Sequence, residues 1–176
     1  MNPVQALIVV DMQRGVLADL PDASSLTARI ESAVSRASAA GALVVQLQND
    51  GAPGSVDEPG TPGWALVLAG GEVVRKTTDD GFAGTRLDSL LSGVGRVALC
   101  GVLSEMCVSA TARSALARGY EVVLPHDGHG TYDLDDIPAA VVARVAEHAL
   151  GDQPELVPAT TNLTFTAANP ARPPTA

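Results

Sequence analysis

Basic side chains are scarce in this sequence: eleven Lys and Arg stand against twenty Asp and Glu, a formal charge of −9. That sign is wrong for neutralising nucleic-acid phosphates or meeting an anionic membrane, so neither partner is expected. Long apolar runs are missing too. The first one, ALIVV, has no basic segment ahead of it and breaks at Asp11, too soon for a leader or a membrane span. A cytoplasmic protein is expected. Cysteine is limited to Cys100 and Cys107, which lack metal-type spacing and need no oxidising compartment. No internal repeat or second domain interrupts the 176 residues, a length that suits one core.

What is present is an alternation of short β-rich runs with longer helical stretches. Residues 6–10, 42–48, 72–75, 96–100 and 121–125 are near-continuously apolar, as strands covered on both faces are. Between them, residues 24–40 carry Leu26, Ile30 and Val34 at four-residue spacing and stop at Gly41, which predicts a helix. A short helix is predicted from Thr85, with Thr85 and Asp88 spaced as in a capping box. Longer ones are predicted over 103–118, ending at Gly119, and over 137–150, where Pro138 suits a first turn. This is an α/β pattern: a mostly parallel, doubly wound sheet in a single domain. The Gly- and Pro-rich segment 49–63 is too long for a plain connector and predicts a substrate-side loop or a subunit contact. The segment and the Pro/Ala-rich tail 166–176, expected to be mobile or draped over a partner, suggest a homodimer or larger assembly.

In open parallel sheets ligands gather beyond the carboxyl ends of the strands. Three reactive residues stand there: Asp11 after 6–10, Lys76 after 72–75, and Cys107 a few residues past 96–100. Singly, each has an ordinary reading, as a turn aspartate, a surface lysine and a small buried hydrophobe. Together they make an acyl-transfer site. A thiol is mostly protonated at neutral pH, and a nearby lysine and a helix start favour its thiolate. A carboxylate can take its proton and pass it to a leaving amine. Backbone N–H groups at the helix start can hold an oxyanion.

These residues lie in segments that resemble the isochorismatase-like cysteine hydrolases, which include nicotinamidases and N-carbamoylsarcosine amidases. The resemblance covers about residues 6–130 and rests on ALIVVDMQ, on K76TTDDGFAGTRL and on G101VLSEMCVSATA, where Ser104 replaces the usual Thr. It implies a three-layer αβα sandwich over residues 1–165, commonly oligomeric. It implies Asp11 as base, Lys76 as electrostatic partner and Cys107 as the nucleophile that forms a thioester. It further implies a non-proline cis peptide between Val102 and Leu103, with the N–H groups of Leu103 and Cys107 forming the oxyanion hole.

Departures from the family pattern narrow the expectation. Nicotinamidases usually hold a metal through an Asp and several His between the first two motifs, and residues 11–76 contain no His. Val16 stands where those enzymes tend to carry an aromatic; Val16, Trp64, Phe82 and Leu103 are the candidate substrate-binding residues, although a core role suits both rings equally. Cys107 disfavours isochorismate hydrolysis itself. The expected activity is therefore hydrolysis of a C–N bond in a small amide, lactam or ureido substrate, with no metal and no cofactor. Two alternatives remain at this level. His126 and His129, flanking Asp127, are a candidate metal pair for a different hydrolase, although hydrogen-bonding or pocket-lining roles are more usual. A non-catalytic binding or assembly member of the family is the other. His148 is expected at the surface or an interface, and Cys100 is expected to be structural.

Overall fold

The structure is a computed structural model and describes residues 2–168. All five apolar runs form strands: β1 (Ala6–Val10), β2 (Leu43–Asn49), β3 (Glu72–Lys76), β4 (Arg96–Val102) and β5 (Glu121–Pro125). Two short strands, β6 (His129–Gly130) and β7 (Glu155–Val157), complete one sheet. Its order is β3-β2-β1-β4-β5-β7, with β6 beside β4, and every pairing is parallel. The helices are α1 (Arg14–Leu17), α2 (Ala23–Ala39), α3 (Leu87–Leu90), α4 (Ser109–Ala117) and α5 (Ala139–Ala149). None is long and apolar enough to cross a membrane.

Period-two alternation along the fully buried β1 divides the core. Leu7 and Val9 face α2, meeting Leu26, Ile30, Ala33 and Ala37. Ala6, Ile8 and Val10 face the opposite layer, meeting Leu87 of α3 and Ala112 and Ala115 of α4. The result is the expected αβα sandwich. The chain winds outward from β1 through β2 to β3, then returns to the far side of β1 as β4, so the winding direction reverses between β1 and β4. A crevice opens at the carboxyl ends of those strands.

One glycine keeps the crevice closed at its floor. Gly101 has φ of 124°, and a Cβ there would stand 2.1 Å from the carbonyl oxygen of Val10, its ladder partner. Only glycine allows β1 and β4 to approach at this level. Gly101→Ala is expected to lower stability by at least about 2 kcal/mol, read from the midpoint of urea unfolding.

Several local expectations change. The helix predicted over 103–118 is not α-helical from its start: Ser104–Val108 is a π-helical turn, and α4 follows it. The capping box at Thr85 is not closed. Thr85 Oγ1 accepts the Leu87 N–H at 3.2 Å, while Asp88 accepts the Tyr120 hydroxyl at 2.9 Å. At the other end of the chain, the Thr166 N–H donates to Val4 at 3.0 Å and the Ala168 N–H to Gly41 at 3.2 Å. Residues 169–176 of the predicted tail lie outside the described residues.

Candidate active site

Asp11 is the first residue past β1 and adopts φ of 50°, a left-handed turn that aspartate tolerates better than most side chains. Its Oδ2 lies 2.7 Å from the Lys76 ammonium, which projects from the last residue of β3. Both side chains are nearly sealed from solvent, at 5% and 0% exposure. Lys76 Nζ also donates to the Cys107 sulfur at 3.3 Å and to the Thr78 carbonyl at 3.1 Å. The three residues named from the strand ends therefore meet at one ammonium. Asp11 Oδ1 carries no hydrogen bond within the described residues.

The surrounding loops hold this group in place. Gln13, fully buried, accepts the Asn49 N–H at 2.8 Å and donates to the carbonyls of Asn49 and Trp64, stitching the ends of β1 and β2 together. That explains the glutamine two positions after Asp11. On the other side, Thr111 of α4 accepts the Gly81 N–H at 3.0 Å and Ser114 donates to Asp80 at 2.6 Å. These bonds bind the 79–82 loop against the helix that follows Cys107. The peptide between Val102 and Leu103 is cis. It leads from β4 into the π-helical turn that carries Cys107.

Burial sets the protonation states. It raises the Asp11 carboxyl above the usual range by more than Lys76 lowers it. For Lys76, burial opposes the charge, but attraction to Asp11 and Cys107 outweighs it and the ammonium is held. The Cys107 thiol is pushed well above its ordinary value by burial and then by Asp11, with Lys76 opposing. Lys76 does act in the expected, lowering direction, but burial and then Asp11 outweigh it.

A cavity of about 230 Å³ opens onto Cys107 and Asp11. Of the expected substrate contacts, Val16 and Leu103 line it. Trp64 and Phe82 do not. The Trp64 indole donates to Asp50 at 3.0 Å under the Arg75 guanidinium. Phe82 is buried, stacked on Tyr120 with ring centroids 5.9 Å apart. The aromatic in the wall is instead Tyr132, whose hydroxyl donates to the Val16 carbonyl. Asn49, Val56 and Asp57 also line the cavity, which places the 49–63 segment on the cavity side as one of its two readings had it. Asp79, inside the quoted K76TTDD motif, completes the rim.

The two histidines of the rival reading lie elsewhere. His126 Nδ1 and His129 Nε2 both approach Glu147 Oε1, at 2.8 and 3.1 Å, and His129 Nδ1 pairs with the Ser104 hydroxyl at 2.8 Å. Arg144 lies 2.7 Å from the other oxygen of Glu147. Among the described residues no group of three or more His, Cys, Asp and Glu has the arrangement to hold a metal ion. Cys100 is fully buried, its thiol raised to about 12 by desolvation, as a structural cysteine is. His148 is exposed on α5.

Burial pushes the Glu147 carboxyl up, but hydrogen bonds from His129 and His126 outweigh it and the net shift is downward. A lowered carboxyl stabilises the fold above its unfolded value, about 4.3, and loses that contribution as the pH falls through the folded value. Glu147→Gln is therefore expected to flatten the loss of stability between about pH 5 and pH 3, followed by thermal unfolding across that range.

Residues 5–152 match the Isochorismatase domain. The chain belongs to the isochorismatase family. It is 54% identical over 184 residues to a streptothricin hydrolase of Streptomyces noursei, covering 95% of this chain and 73% of that protein. A second streptothricin hydrolase of the same organism is 52% identical over 181 residues, covering 93% and 66%. Among solved structures, an isochorismatase from Pseudomonas putida KT2440 superposes with a TM-score of 0.84 at 27% identity, over 93% of each chain. As an isochorismatase-family amidohydrolase, the chain is a hydrolase acting on C–N bonds.

Proposed function

We propose that this amidohydrolase works through a Cys107 thioester, with Asp11 as base and acid and Lys76 as the fixed positive charge, on a streptothricin-type amide or lactam. The observation that carries the reading is one ammonium, sealed from solvent, within 2.7 Å of Asp11 and 3.3 Å of Cys107, two residues that line a cavity.

With its thiol protonated at rest, Cys107 attacks as it loses its proton. The sulfur forms a bond to the carbonyl carbon while the S–H proton passes to Asp11, whose Oδ1 is free to receive it. Burial favours the protonated Asp11 that results. Lys76 stabilises the sulfur as negative charge grows on it. The carbonyl oxygen becomes an oxyanion facing the N–H groups of Leu103 and Cys107, and the Leu103 N–H has no other acceptor among the described residues. Collapse breaks the C–N bond, and Asp11 returns the proton to the departing nitrogen. Water then attacks the thioester carbon as Asp11 takes one of its protons, the C–S bond breaks, Asp11 returns that proton to the Cys107 sulfur, and a carboxylic acid leaves.

Streptothricin is the first substrate to test because both relatives of 54% and 52% identity carry that name. Mixing enzyme with streptothricin and quenching in acid is expected to add the acyl mass to the peptide containing Cys107, detected by mass spectrometry. Turnover without any such adduct, together with activity in Cys107→Ala, would exclude the mechanism.

A further inference from the structure

The cavity wall is electrically one-sided. Three of its residues, Asp11, Asp57 and Asp79, are acidic, and none is Lys, Arg or His. Lys76 matches the charge of Asp11 from behind. Asp57 and Asp79 have no such match: neither pairs with a cation among the described residues. Asp57 is only 8% exposed, yet its carboxylate takes just two neutral hydrogen bonds, from Ser55 at 2.8 Å and Asn49 at 2.6 Å. A buried carboxylate held by neutral donors alone stays poorly compensated for lost water. Asp79 is exposed at the mouth, with Oδ1 3.5 Å from the Cys107 sulfur. A third oxygen, the sealed and unpartnered Oδ1 of Asp11, lies in the same cavity. Val16, Val56 and Met106 supply the apolar part of the wall.

We infer that Asp57 and Asp79 select a cationic amide: an ammonium or guanidinium at the mouth answers the two carboxylates while its alkyl stem lies along Val16, Val56 and Met106. This deepens the Cys107 reading and rests on it. The net charge of −9 draws such a substrate toward the chain from a distance. A cation seated there does more than anchor. In the free enzyme Asp79 is one of the groups that oppose loss of the thiol proton. Neutralising it removes that opposition only when a substrate of the right charge is in place. The two carboxylates thus exchange a slower free thiol for discrimination between substrates.

Methanethiosulfonates that differ only in charge test this without a known substrate. Modification of Cys107 is timed with the 2-(trimethylammonio)ethyl, methyl and 2-sulfonatoethyl reagents, each rate divided by that of a small free thiol. The wild type is expected to favour the cation over the anion by about a hundredfold, and Asp79→Asn and Asp57→Asn each to reduce that ratio about tenfold. Asp79→Asn is also expected to raise the rate with the uncharged reagent. Asp136→Asn, which removes the same charge from an exposed position outside the cavity, is expected to leave the ratio intact. A wild-type ratio near that of the free thiol, or an equal drop in Asp136→Asn, overturns the inference. Its failure is separable from that of the mechanism, because streptothricin hydrolysis surviving in Cys107→Ala would overturn the nucleophile while leaving the reagent ratios standing.

Discussion

Cys107→Ala is expected to reduce kcat by a factor on the order of 10⁴ or more, measured as product formed from streptothricin, with the fold intact by circular dichroism. Removing the proposed nucleophile leaves only binding and the oxyanion donors to lower the barrier. Cys107→Ser is expected to be nearly as poor. A hydroxyl holds its proton far more tightly than a thiol, and Asp11 is a weak base for it even though burial raises its carboxyl. A serine variant with close to wild-type kcat would refute the assignment, because it would show that the thiol's acidity does not matter.

Lys76→Met is expected to have the second large effect, and on two properties at once. The ion pair it breaks is sealed from solvent on both sides. Losing one member of such a pair leaves the other charge buried, at a cost of about 3–5 kcal/mol in stability. Asp11→Asn/Lys76→Met is expected to recover most of that loss in urea titrations, since no lone charge remains, yet to stay inactive. The deficit of Lys76→Met also depends on pH. Without the ammonium the Asp11 carboxyl rises further, and a raised carboxyl gives stability at low pH that is lost as the pH climbs through its folded value. The variant is therefore expected to approach the wild type in acid and fall behind it near neutrality. A deficit independent of pH would mean that Asp11 is not the group left stranded.

Much of this arrangement was legible in the sequence because the sheet is parallel and buried on both faces. Strands such as ALIVV then appear as unbroken apolar runs, and the residue after each is a site candidate by topology alone. Asp11, Lys76 and Cys107 were found that way, and the quoted motifs joined them. The shorter elements were not legible: His129–Gly130 and Glu155–Val157 are strands only because neighbours pair with them, and neither has room for a pattern. The π-helical turn at Ser104–Val108 was hidden for another reason, since its side chains differ little from those of an α-helix start. The rings stay ambiguous in the sequence because an aromatic near the motifs is as easily committed to the core or a surface cation. Phe82 and Trp64 both are, while Tyr132, far along the chain, reaches the wall. Asp57 and Asp79 lay in segments already singled out, and the missing signal was their lack of a counter-ion, which only the folded chain reveals.

The reversal of winding between β1 and β4 also bears on how the protein comes to be active. Asp11, Lys76 and Cys107 lie at or beyond the ends of β1, β3 and β4, and β3 reaches the other two only through β2. No contiguous fragment of the chain brings two of them together ahead of the sheet, and contacts of such long sequence separation form slowly. Charge pairing at Lys76 is consequently expected to come late in folding. During refolding, recovery of catalysis should lag behind recovery of helical signal, so that turnover times the closing of the sheet.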